Sequence, residues 1–191
     1  MRSMNHADSL AHHFLLAMPS LDGTYFERAL IYVIEDTPEG SMGLVVNRPI
    51  QPSVRDMLDG LEIPILKDDP RLDTPVYEGG PVDPEHGFVI HRPQGNWKSS
   101  ILMPDNVAMT VSLDLLRAMG EGQFPDQFIM ALGYTGWEAG QLQQELSENS
   151  WLTLPYSATL MFDIPDDAKW EMALSTLGVS PEFLSTEAGH A

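Results

Sequence analysis

The chain has no cysteine, which excludes disulfides, thiolate metal sites and a thiol nucleophile. Basic residues are scarce too: ten Lys and Arg stand against 28 Asp and Glu, for a formal charge of −18 at pH 7. Beyond Arg117 the one remaining base is Lys169, among eleven carboxylates between Glu121 and Glu187. Such a surface stays soluble and repels phosphate backbones and anionic lipid, so nucleic acid is not an expected partner. No apolar run approaches the ~20 residues that span a bilayer. Residues 1–13 lack the basic-then-apolar pattern of a secretory signal. The expectation is a cytoplasmic protein with no membrane partner. A Gly-Lys-Ser phosphate loop, Gly-x-Gly-x-x-Gly and a Gly-x-Ser-x-Gly elbow are all missing. No cofactor is expected.

What the chain does have is a phrase used twice. Gly43-Leu44-Val45-Val46-Asn47-Arg48-Pro49 returns as Gly87-Phe88-Val89-Ile90-His91-Arg92-Pro93. Each copy reads as a buried strand entered through Gly and closed by a Pro that cannot continue a ladder. Apolar residues at consecutive positions imply strands covered on both faces, with Val45 and Val89 in the core.

The 191 residues form one expected domain, 1–191, with an ordered core over about 10–184 and frayed ends. A hairpin is expected from residues 28–35 and 42–47, and strands at 127–134 and 158–163. Ser53, Ser112, Gly136 and Pro165 open four helices, and 63–75 reads as an exposed loop. About seven strands with interspersed helices, and no regular strand–helix alternation, give an α+β class with a mixed or antiparallel sheet.

Several segments together resemble one family. Phe14-Leu15-Leu16-Ala17-Met18-Pro19, Met42 through Pro49, Gly79-Gly80-Pro81-Val82 with Gly87-Phe88-Val89, and Gly133-Tyr134-Thr135-Gly136-Trp137 with Gly140-Gln141-Leu142 are similar to the YqgE/AlgH family of bacterial proteins. The likeness runs from about residue 10 to residue 178, with Glu138 where family members commonly carry Gly. It implies a bifurcated sheet curled into a pseudo-barrel. It implies no reaction, and the family name points only to a regulatory association.

Candidate chemistry is thin. His86 and His91 are five apart on one expected strand and point to opposite faces, and His12 and His13 are adjacent, so no metal site is expected. Ser99 and Ser100 follow Trp97, with His86 and His91 upstream, which makes a Ser–His pair conceivable beside the plainer reading of a turn. The stretch 133–137 could expose N–H groups to an anion, or simply turn the chain. Arg48 and Arg92 could grip a carboxylate or phosphate, or pair with acids such as Glu78 and Asp83.

The ligand-binding candidates are therefore Asn47, Arg48, Gly79, Gly80, His91 and Arg92. With no complete catalytic constellation, the expected function is a non-enzymatic binding or regulatory protein, acting through a protein partner or a small anionic effector. The alternative is an enzyme on a small anionic metabolite, with Arg48 and Arg92 as clamps and His86 or His91 as acid–base.

Overall fold

The computed structural model describes residues 9–180 together with 182 and 184. The fraying expected at residues 1–8, and the disorder expected of 185–191, lie outside the described residues. In chain order the strands are β1 (His13–Ala17), β2 (Leu30–Thr37), β3 (Gly40–Val45), β4 (Pro49–Ser53), β5 (Pro75–Glu78), β6 (Val82–Arg92), β7 (Ser100–Met103), β8 (Val107–Thr110), β9 (Gln127–Glu138) and β10 (Trp151–Pro155). The helices are α1 (Val54–Gly60), α2 (Leu113–Gly120), α3 (Gln141–Ser147) and α4 (Lys169–Thr176). The class is α+β, as the sequence pattern implied. Every strand pair is antiparallel except β5 with β9.

The chain divides into two compact units, Met1–Asn47 with Thr135–Ala191, and Arg48–Tyr134. In the first, strands follow the order β10-β1-β2-β3, and the last residues of β9 lie beside β3. Leu15, Ala17, Ile31, Val33 and Val45 project from one face into a core with Trp137, Leu142 and Trp151. Phe14 and Tyr32 pack ring to ring on the other face, with centroids 5.8 Å apart. Both faces are covered, which explains the consecutive apolar positions of the strands.

Two polar contacts fix the helices of this unit. Glu145 on α3 accepts the indole N–H of Trp137 at 3.2 Å and of Trp151 at 3.0 Å, both on the same oxygen. On α4, Lys169 is buried; its Nζ donates to the carbonyl of Val46 at 2.8 Å and pairs with Asp166 at 2.9 Å. Burial pulls its ammonium below the usual lysine range, and Asp166 opposes that shift.

The second unit is built on β9-β6-β8-β7, with β5 beside β9 and β4 beside β5. Ser53 opens α1 with a full capping box: its hydroxyl accepts the Asp56 N–H while the Asp56 carboxylate accepts the Ser53 N–H. Val54 and Leu58 then face a core shared with Leu72, Val76, Val89, Leu115, Met119 and Met130. Val45 and Val89, the matched positions of the repeated phrase, are both core.

Several elements differ from the sequence reading. There are ten strands among the described residues rather than about seven. Residues 159–163 form a π-helical turn, not the last strand, which is instead β10. Gly136 opens no helix: β9 runs on to Glu138, and α3 starts after Gly140, a residue at φ 77° that only glycine adopts easily. Ser112 precedes α2, but its hydroxyl bonds the Asp114 carboxylate rather than the helix backbone. At the start of the last helix, Asp166–Ala168 is a 3-10 turn that leads into α4. The stretch 63–75 is not wholly exposed: Ile63 is buried, and so is Leu72 within a 3-10 turn at Pro70–Asp73.

Glu145 gives a direct test of the indole clasp. Glu145→Leu strands two N–H groups on buried indoles, and each orphaned donor costs about 1–3 kcal/mol. Urea unfolding should show a clearly lower midpoint for this variant. Glu145→Gln keeps one acceptor oxygen and should fall between parent and Leu variant.

Candidate functional site

The repeated phrases place their polar ends on structural duty. Asn47 accepts the Leu30 N–H at 3.0 Å and donates to the Arg28 carbonyl at 2.9 Å, closing the open end of the β2–β3 hairpin. The Arg48 carbonyl accepts the Glu78 N–H at 2.9 Å. Gly79 and Gly80 are buried, and the Gly79 N–H donates to the Leu132 carbonyl at 2.8 Å.

Strand register keeps the two arginines apart. Glu78, beside Arg48, pairs with Leu132 of β9; Arg92 pairs with Gln127 on the opposite edge of the same strand. At ordinary strand spacings that register corresponds to about 17 Å in the strand direction and about 14 Å across three strand spacings. The register does not set them side by side as a clamp.

His91 is fully buried and sits in a hydrogen-bonded chain. Its Nδ1 lies 3.0 Å from the Pro93 carbonyl, which can only accept, so that nitrogen carries the proton. Nε2 is then the acceptor for the Thr110 hydroxyl at 2.7 Å, and the Ser100 hydroxyl lies 2.7 Å from Thr110 and 3.0 Å from the Trp97 carbonyl. Sequence reasoning paired Ser100 with a histidine, and the structure joins them only through Thr110. The hydroxyl that touches the imidazole is itself buried. A nucleophile needs both a direct bond to its base and a path to substrate; Thr110 has the bond but is buried, and Ser100 reaches the imidazole only through Thr110. Ser99 takes a left-handed φ of 50° at the turn into β7.

His86 lies elsewhere, on an arch. The β6–β9 register jumps from Val82↔Tyr134 to Gly87↔Leu132, so Asp83, Pro84, Glu85 and His86 stand out of the sheet. All four are exposed, and they line a shallow hollow. The His86 ring leans on Phe88 with centroids 4.8 Å apart.

That arch forms the mouth of a groove which the sequence did not disclose. Met57 and Leu61 of the α1 end, Leu113 and Leu116 of α2, Phe88 of β6 and Met130 of β9 wall a cavity of about 190 Å³. Leu61 is 47% exposed, Leu113 46% and Val111 41%, an apolar rim around an apolar floor. Among the described residues Glu85 is the one Asp, Glu, Lys or Arg in the lining, and it is shared with the arch hollow, as is His86. The local sequence explains the exposure. The capping box turns Val54 and Leu58 inward, which leaves Met57 and Leu61, four apart, on the flank of α1. In α2 the core takes Leu115 and Met119, Leu116 packs against its margin, and Leu113 is left exposed. An apolar residue at each helix end, outside the core-facing stripe, is the signal that could have shown it.

Comparison with known proteins gives one consistent result. The AlgH-like family description (DUF179) matches residues 14–182. A UPF0301 protein of Hydrogenovibrio crunogenus is 50% identical over 187 residues, covering 98% of this chain and all of that protein. One from Chromobacterium violaceum is 43% identical over 96% of this chain and 98% of its own length. The solution structure of AlgH from Pseudomonas aeruginosa superposes with a TM-score of 0.79 at 37% identity over the full length of both chains. The crystal structure of DIP2367 from Corynebacterium diphtheriae, 17% identical over 87% of this chain and 86% of that one, shares the fold at a TM-score of 0.69.

His91 makes stability depend on pH. Burial holds its imidazole below the ordinary value of 6.5, against a smaller opposing effect of the Pro93 carbonyl. Between the folded and unfolded values the unfolded chain binds more protons, so this contribution is complete above pH 6.5 and is lost as pH falls through the folded value. The melting temperature of the parent should therefore drop more between pH 7.5 and 5.5 than that of His91→Gln. Equal drops would mean that His91 takes up its proton as readily folded as unfolded.

Proposed function

The chain belongs to the AlgH-like family, and we propose that it is a non-enzymatic binding protein whose α1–α2–β6 groove receives a side chain of a protein partner. The carrying observation is the size of the groove combined with its rim. Pockets for small ligands run about 300–1,000 Å³; a volume of about 190 Å³ suits one large apolar side chain. The exposed Leu61, Val111 and Leu113 around it supply the flat apolar collar that surrounds an interface anchor. The spacing of Arg48 and Arg92 weighs against the alternative of an enzyme that clamps a small anion. The reading sets the protein in the cytoplasm without a nucleic-acid partner, in keeping with its lack of cysteine and its charge of −18. Among the described residues, no helix is long and apolar enough to cross a membrane.

Nile red, an uncharged dye that brightens on apolar surface, tests the groove. The folded parent should enhance its emission. Leu61→Ser with Leu113→Ser should remove most of that enhancement and leave the melting temperature nearly unchanged, since surface substitutions usually stay within about 0.5 kcal/mol. An undiminished signal in the double variant would retire the groove as a binding surface.

A further inference from the structure

We propose that the occupant of the groove is a cationic amphipathic helix of a partner protein; this rests on the groove being a docking surface. Three features lead there. The first concerns backbone hydrogen bonds. At Val89, on the groove floor, β6 is paired on both edges, with Thr110 of β8 and Met130 of β9. An extended peptide laid over that floor would find no partner there for its N–H and C=O groups. A helix satisfies its own.

The second feature is the spacing of the apolar walls. One side chain fills the cavity between α1 and α2, while the exposed Leu61 and Leu113 wait beside it for neighbours one turn away. Anchors at i, i+3 and i+7 of a helix present that pattern. Met57 and Met130 give the walls the adaptable, polarizable surface common in helix-binding grooves.

The third feature is charge. Among the described lining residues Glu85 is the only carboxylate of the groove, with His86 beside it, and Asp83 joins it on the arch. Among the described residues no Lys or Arg lines either hollow, on a chain of charge −18. Cationic residues on the outer face of the helix would meet these carboxylates at the mouth, which favours fast association and selects the sign of the partner.

The experiment uses the full chain and fluorescence anisotropy of two labelled synthetic helices. Both carry Leu at i, i+3 and i+7; one has Lys at the remaining positions and the other has Glu. The Lys helix should bind, and the Glu helix should bind at least about tenfold more weakly. Binding of the Lys helix should weaken with added salt, and Glu85→Gln should reduce both its affinity and that salt dependence. Leu61→Ser with Leu113→Ser should abolish it. Equal binding of both helices, with the double variant still inactive, overturns the charge assignment and leaves the groove standing. A Lys helix that binds the double variant as well as the parent reduces the effect to general attraction by an acidic surface, and overturns the proposal. If neither helix binds while Nile red still lights the groove, the occupant is not a helix and the proposal fails alone.

Discussion

At Gly133 there is no room for a side chain. Its φ is 75°, and a Cβ there would overlap the carbonyl oxygen of Gly80. The missing atom lets the Gly79–Gly80 turn lie against β9, held by the bond from the Gly79 N–H to Leu132. That contact places β5 on one edge of β9 and sends the chain on to β6 on the other. Between the two, the chain gains residues that the register cannot pair, and Asp83–His86 is pushed out as an arch. The acidic mouth of the groove thus descends from a glycine whose own position lies well inside the sheet.

The residue types that usually signal chemistry are spent on holding the fold. Asn47 closes a hairpin, His91 carries one proton toward a carbonyl, Glu145 joins two indoles, and Lys169 ties α4 to the end of β3. Each answers a buried polar group that would otherwise be costly. The surface that is left for recognition is apolar, and it belongs to residues that no catalytic motif would point to.

The sequence disclosed some of this and hid the rest for physical reasons. The α1 start was legible because Ser53 and Asp56 form a local signal, complete within four residues. The hairpin of β2 and β3 was legible from Pro38-Glu39-Gly40 between two apolar runs. Thr159-Leu160-Met161-Phe162 misled, because a short apolar run fits a strand and a buried helical turn equally well. β10 was overlooked because Trp151-Leu152-Thr153-Leu154 is a short run that ends at once on Pro155. The continuation of β9 past Tyr134 hid behind Gly136, which reads as a turn. The groove offered only the faint signal of apolar residues at two helix ends, since its walls come from residues between 57 and 130 that meet only in the folded chain.

Discontinuity of the first unit has a consequence for how the protein is made. β1 pairs on one edge with β2 and on the other with β10, His13 opposite Pro155. All the pairings of the second unit lie between Arg48 and Tyr134. A chain leaving the ribosome has every strand of that middle segment before Trp151 has been translated. Until then Phe14-Leu15-Leu16-Ala17 carries an uncovered edge on an apolar strand, the kind of surface that invites pairing with a neighbour. Synthesis therefore leaves a window in which the amino-terminal strand, made first, is among the last to be shielded on both edges.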